Sequence, residues 1–374
     1  MKTKLPDGWK EIELGEILEY EQPTNYIVEN ENYDDQYKTP VLTAGKSFIL
    51  GYTDEKEGIY TKLPVIIFDD FTISSKYVTF PFKVKSSAMK LLTPKTKNVN
   101  LKYIFWLMQT IKVNSVSHKR YYISKYQHIK IPLPPISVQN KIVSILEKTE
   151  KAKEMRKEAD ELTNDFLKAV FFEMFGDKNK FETKKLKEIG QLKHGFLYRP
   201  TDYVKQGIIT IRIGDFDEED VYITENVKVD SSNLEKHKEE IIRKGDVIIA
   251  LSGATTGKSC LVKKDIVALQ NYRVGRIITD KKIILPEYIA YFIKTNYFQT
   301  LIKNSSVVSA QPNISKENFD NFNIPLPPIE LQNKFASIVK EVEQIKEQQK
   351  HSKKQIDNLF NALMQKAFKG GLIT

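Results

Sequence analysis

The sequence predicts an α+β protein: two pseudo-two-fold-related α+β domains separated by an antiparallel coiled coil of two long helices. Three observations carry this expectation. One unusual phrase occurs twice, each copy opens a Lys/Glu-rich stretch with apolar residues at helical spacing, and short β-rich runs punctuated by turn residues precede each copy.

The phrase is Ile131-Pro132-Leu133-Pro134-Pro135-Ile136 followed by Gln139-Asn140-Lys141. It returns as Ile324-Pro325-Leu326-Pro327-Pro328-Ile329 followed by Gln332-Asn333-Lys334, a shift of 193 positions, 324 less 131. Upstream, Trp9, Leu14 and Ile17 resemble Phe181, Leu186 and Ile189, here shifted by 172 positions, 181 less 9. The unequal shifts imply units that share a plan but differ by insertions.

In the first unit, Val65–Phe68 and Tyr77–Phe80 read as strands, and Tyr103–Thr110 as a helix. In the second, Gly207–Ile211 and Asp246–Ala250 read as strands, and Tyr288–Thr295 answers the first unit's helix. Ile123-Ser124 and Ile314-Ser315 then lead into the two phrases. Pro134-Pro135 ends an extended run, and Ser137 is placed to cap the helix that follows.

In that helix Ile142, Ile145, Leu146, Thr149, Ala152, Ala159, Leu162, Phe166 and Val170 form the expected apolar stripe. Its counterpart carries Phe335, Ile338, Val339, Val342, Ile345, Ile356, Leu359 and Leu363, and Gly176 and Gly370 stand at the expected stops. The domains are thus 1–134, a helix over 135–177, 178–327, and a helix over 328–374. A single helix with so narrow a seam needs a partner, and its own repeat is the economical one. From Ser137 to Phe175 the rod would span about 58 Å, against a duplex that repeats every 34 Å or so. A coiled coil that merely oligomerises would leave the duplicated heads unexplained.

The formal charge of +10 suits a polyanion partner and equally a Lys-rich soluble protein. One cysteine, Cys260, excludes an intrachain disulfide and a multi-cysteine zinc site. No signal-peptide pattern follows Met1, and no apolar run reaches the length of a membrane span. The expectation is a soluble protein of the reducing cytoplasm with no membrane partner.

Two divergent units, each closed by Ile-Pro-Leu-Pro-Pro-Ile-x-x-Gln and a long helix, resemble the specificity subunit of type I restriction-modification systems. The resemblance covers essentially the whole chain. Ile248-Ile249-Ala250, Gly253-Ala254-Thr255-Thr256-Gly257-Lys258 and Phe68-Asp69-Asp70-Phe71-Thr72 match as well. Val138 and Leu331 stand where the family often has Glu, which leaves its usual capping interaction open.

The resemblance implies a non-catalytic subunit whose two domains each read half of an asymmetric, bipartite double-stranded DNA site. The helices would space those domains and dock two methyltransferase subunits, with restriction subunits in the full complex. It implies no cofactor on this chain; S-adenosylmethionine, ATP and Mg would belong to the partners. The alternative from another class is a stand-alone bipartite DNA-binding repressor or scaffold, which co-purification with a methyltransferase would separate.

Candidate DNA contacts follow from residue chemistry. Ser252–Ser259 looks like a nucleotide-binding loop, but only three residues separate Gly253 from Gly257 where a phosphate-wrapping loop needs four. An ATP-driven enzyme built on it is therefore disfavoured, and Thr255, Thr256 and Lys258 read instead as a DNA-contacting turn. Gln270 and Asn271 can pair with adenine and Arg273 with guanine, or the segment is a polar turn whose Tyr272 packs on the sheet.

His118, Lys119, Arg120, Tyr121 and Tyr122 form a basic aromatic run before Ile123-Ser124, and Gln311 and Asn313 occupy the matching loop. Lys46 and Arg212 lie beside glycines in similarly placed turns, and Thr72 joins the candidates. Asp70 and Asp217 could accept from cytosine. Five scattered histidines lack metal-ligand spacing, and the acidic runs at Asp69-Asp70 and Asp215–Asp220 read as solvated turns rather than a nuclease metal site. Cys260 reads as core.

Overall fold

The computed structural model describes residues 5–43, 47–112, 121–223, 227–305 and 313–372. The chain divides into two units, Met1–Lys157 with Lys350–Thr374, and Glu158–Gln349.

In the first unit the phrase itself becomes a strand. Lys130–Leu133 pairs antiparallel with Lys10–Glu13, and the helical turn Leu14–Ile17 follows with both of its end residues buried. A four-stranded antiparallel sheet runs in the order Leu18–Glu21, Met89–Pro94, Val65–Asp69, Ser75–Val78. The last strand therefore sits earlier than the expected Tyr77–Phe80. Ser75 opens it because the preceding tight turn, Asp69 to Ser74, is closed by its own hydrogen bonds. A second sheet orders Ile49–Thr53, Thr39–Leu42 and Lys83–Val84, with the last pair parallel.

Helix Leu101–Thr110 starts where Asn100 Oδ1 accepts from the Lys102 and Tyr103 amides at 2.9 and 3.1 Å. It buries Tyr103, Ile104, Trp106 and Leu107 against Phe68, Tyr126 and the long-helix residues Ile142, Leu146, Met364 and Ala367.

The second unit repeats this frame. Thr183–Lys185 pairs with Asn323–Pro325, Leu186–Ile189 makes the helical turn, and the first sheet orders Gly190–His194, Val274–Thr279, Val247–Ala250, Ser259–Leu261. Its outer sheet has five strands: Tyr203–Val204, Lys228–Val229, Ile208–Ile211, Val267–Gln270 and Ile241–Arg243. Again one pair is parallel, Thr210 opposite Leu269. Helix Pro286–Ile293 takes the place of Leu101–Thr110.

The glutamine of the phrase explains why the phrase repeats. Gln139 is buried; its Oε1 accepts from the Asn100 amide at 2.8 Å, and its Nε2 donates to the carbonyls of Pro134 and Asn98 at 2.8 and 3.1 Å. Gln332 is buried too; it accepts from the Leu285 amide at 2.8 Å and donates to Pro327 and Ile283 at 2.8 and 3.1 Å. Each glutamine fastens the start of a long helix to the start of a head helix, satisfying backbone groups that burial would otherwise orphan. Tyr103 and Tyr288 add the same bond twice, each hydroxyl donating to the carbonyl of the first proline of its phrase at 2.9 and 2.7 Å.

The long helices are Ile136–Phe175 and Ile329–Phe368, 40 residues each. Ser137 lies inside the first turn rather than capping it, since the Val138 and Gln139 amides already donate to the Pro135 carbonyl. The second helix stops at Gly370, whose φ of +78° lets the Gly371 amide return to the Lys366 carbonyl at 3.0 Å.

Within the first unit Lys153 meets Asp357 at 2.8 Å and lies over the Phe360 ring. Within the second, Phe171 packs on Phe335 and Gln349 Nε2 donates to Thr163 Oγ1 at 2.8 Å, so the two segments run antiparallel. Four residues expected on the seam are exposed instead: Leu162, Phe166, Ile345 and Leu359. On the first helix the seam in the second unit is Thr163, Leu167 and Phe171. That row lies one residue, about 100°, around from Leu162 and Phe166, and spacings of four fit either row.

Candidate nucleic-acid interface

In the second unit, parallel pairing decides which loops meet. Strands Ile208–Ile211 and Val267–Gln270 run the same way, so both release the chain at one edge. Arg212 leaves the first and Asn271-Tyr272-Arg273 the second, joined by the Asn271 amide donating to the Ile211 carbonyl at 3.1 Å. Phe196 bridges to Asn271 and brings in the loop Phe196–Pro200. Gly195 permits that approach, because a Cβ there would fall 2.1 Å from the Gln270 carbonyl oxygen. The result is a cavity of about 560 Å³ lined by Tyr198, Arg199, Tyr203, Arg212, Asn271, Tyr272 and Arg273, among others.

The arginines there differ in freedom. Arg212 is tied to Asp215, Nε to Oδ2 at 3.1 Å and Nη2 to Oδ1 at 3.3 Å, and that carboxylate holds its pKa above the usual value. Arg273 stands over the Tyr272 ring, its Nε donating to the Tyr272 hydroxyl at 2.7 Å, and among the described residues no acceptor takes its terminal amino groups. Arg199, not among the residues expected to contact DNA, is the third arginine of the lining. Its signal was the run Phe196-Leu197-Tyr198-Arg199, basic and aromatic like the run singled out in the first unit.

Gln270 is not free to read a base. It is buried, with Nε2 donating to the Lys193 and Val274 carbonyls at 2.7 and 2.6 Å. Asn271 is largely buried, its Oδ1 accepting from the Arg273 amide at 3.3 Å, though it still lines the cavity.

The Gly253–Lys258 segment is a turn between two strands, with positive φ at Gly253 and Gly257, and strand Ser259–Leu261 follows it. A phosphate-binding loop would lead into a helix N-terminus, so this segment lacks that geometry. Lys258 folds back, donating to the Ile213 carbonyl at 3.0 Å and lying over the Phe216 ring. Thr256 donates to the Gly253 carbonyl, and the Thr255 hydroxyl is buried. Neither Thr255 nor Lys258 is thus presented for a direct DNA contact. Asn313 is exposed beside this turn, bridged to Ser252.

In the first unit Thr72 is exposed at a tight turn, its hydroxyl accepting from the Ser74 amide. Tyr121 and Tyr122 are buried, the latter against Phe68 and Tyr126, so they belong to the core and not to a DNA surface. Burial also raises the Tyr122 phenol's pKa. Asp70 is no cytosine acceptor: it is buried, accepts from the Tyr122 amide at 2.9 Å and pairs with Lys90 at 2.7 Å. Asp217 closes its own turn, accepting from the Glu219 and Asp220 amides and from the Tyr222 hydroxyl. Lys46, His118, Lys119, Arg120 and Gln311 lie outside the described residues.

Among the described residues no cluster of three or more His, Cys, Asp or Glu could hold a metal ion. Burial pushes the Cys260 thiol up to about 12, which denies it a nucleophilic thiolate near neutral pH. No helix of the described residues is long and apolar enough to cross a membrane.

The chain matches the type I restriction modification DNA specificity domain over residues 6–164 and again over 178–358, one match to each repeat. It belongs to that family. Among curated members of the specificity family it is 34% identical to the EcoR124I/EcoR124II specificity subunit of Escherichia coli, over 90% of this chain and 87% of that one. It is 23% identical to the MjaVIII specificity subunit of Methanocaldococcus jannaschii, over 96% and 92% of the two chains. The S subunit of M. genitalium shares the fold, with a TM-score of 0.60 over 98% of each chain at 16% identity. The chain is accordingly a DNA-recognition subunit and not a catalytic one, and its partners are DNA and the other subunits of such a system.

Proposed function

We propose that each unit reads one half of an asymmetric, bipartite double-stranded DNA site, with heads over 1–134 and 178–327. The paired helices over 135–177 and 328–374 set the gap between the halves and carry two methyltransferase subunits. One observation carries the reading: the glutamine latch and the inner sheet are the same in both units, while the outer sheets and their loops differ. Identical frames with unlike loops are what two different half-sites require.

In the second head, Arg199 and Arg273 around the cavity supply cations for phosphate or a guanine edge, with Asn271 beside them; Asn313, opposite Ser252, is a further proposed contact. In the first, Thr72 and the run His118–Arg120 with Lys46 remain the proposed contacts. The chain itself takes no cofactor. S-adenosylmethionine, ATP and Mg belong to the methyltransferase and restriction subunits, and the complex works in the cytoplasm.

The experiment is to sequence methylated bases in a host carrying this chain with its methyltransferase. Inserting one or two helical turns into both long helices should lengthen the gap between half-sites and leave their letters alone. An unchanged gap would defeat the spacer role, and a substitution in residues 1–130 that altered both half-sites equally would defeat the two-headed assignment.

A further inference from the structure

In the second unit, where helix Pro286–Ile293 meets the long helices, lies a cleft of about 550 Å³. Its walls are aromatic, with Phe171, Phe175, Tyr291 and Phe292 inside and Phe172 at the rim. Phe172 is 74% exposed, and Leu162 and Phe166, earlier on the same helix, are 70% and 52% exposed. Leu162 and Phe166 lie on another face of that helix, so Phe172 is the exposed ring at this cleft, continuous with the buried aromatic residues of its wall.

The cleft also holds a cation without a counter-ion. Lys263 and Lys346 both pair with Glu219 and Glu343. Lys294 donates only to the Glu218 carbonyl and faces the Tyr291 ring, and no carboxylate among the described residues reaches it as an ion pair. Burial lowers its pKa, and Glu219 and Glu218 counter that only in part. An incoming carboxylate would supply the missing partner.

The first unit lacks this combination. The repeat places Gln109 opposite Lys294 and Gln365 opposite Phe172. Gln109 Nε2 is taken by the Ser75 hydroxyl at 2.8 Å, and Trp106, the counterpart of Tyr291, packs on Phe360.

We propose that the cleft seats a segment of a methyltransferase subunit bearing a carboxylate beside an aliphatic or aromatic side chain, and that it serves one of the two docked copies. The inference rests on the reading that two methyltransferases dock on the helices.

The test is native mass measurement of the full chain with its methyltransferase, for the unaltered protein, Phe172→Ser and Lys294→Met. The unaltered chain should hold two copies. Each variant should hold one tightly and bind the second about tenfold more weakly or not at all. Phe172 is exposed, so its replacement leaves the fold intact even if the Lys294 variant does not.

Two tightly bound copies in Phe172→Ser, or loss of both, overturns the single seat. Weakened DNA binding by the Phe172→Ser chain alone overturns it in favour of nucleic acid. An unaltered chain that binds no methyltransferase sinks the docking reading itself, a result distinct from the others.

Discussion

The two units share a frame but hold their parts together by different electrostatics. In the first, Asp70 and Lys90 form an ion pair inside the core, with side chains 5% and 3% exposed at 2.7 Å. In the second, Glu219 lies between Lys263 and Lys346 at the unit's surface, with Glu343 completing the network. The buried pair ties the sheet to the turn Tyr121–Ser124 through the Tyr122 amide, whereas the surface network ties the loop Asp217–Asp220 to the long helix. A duplicated frame can thus be finished by unlike means, since the latch and inner sheet already fix the fold.

The largest effect is expected at the buried pair. Asp70→Asn would leave the Lys90 ammonium uncompensated in the core and should cost about 3–5 kcal/mol, read as a lower denaturation midpoint of the first unit. An unchanged midpoint would mean that Lys90 escapes to solvent.

The shared latch should come next and act alike in both units. Gln139→Ala and Gln332→Ala each orphan buried backbone groups and should each destabilise by about 1–3 kcal/mol. If only one of the two substitutions mattered, the equivalence of the units would fail.

Arg273→Ala should relax one base position in a single half-site by about 1–3 kcal/mol, read from the methylation motif. A uniform loss of affinity with no change of motif would make Arg273 a phosphate contact.

The smallest effect belongs to Glu219. Burial opposes its ionisation, but the Lys346 and Lys263 ammonium groups outweigh that and hold its pKa below the usual 4.5. A carboxyl depressed in the folded state stabilises fully above its unfolded value and loses that contribution as pH falls through the folded one. Glu219→Gln should therefore lower the melting temperature slightly at pH 7 and converge with the unaltered chain in acid. Equal gaps at both pH values would exclude the network as the cause.

Much of this plan was legible in the residues, because a repeated Pro-Pro with a glutamine at fixed distance is too specific to arise without a repeated role. The site was less so. Tyr121 and Tyr122 look like a nucleic-acid stack until the turn Tyr121–Ser124 packs them against Phe68 and Tyr126. Gln270 looks like an adenine reader until its amide is taken by two carbonyls. Leu162 and Phe166 have the spacing of a seam, yet Thr163 and Leu167 one residue further have it too.

By itself the sequence determined the duplication, the α+β order and the two long helices, because periodicity and backbone-restricting residues act locally. Only the tertiary structure decided which polar side chains are spent inside the protein and which remain for a ligand. That choice depends on what each group meets across the fold, as when parallel strands bring Arg212, Asn271 and Arg273 to one edge.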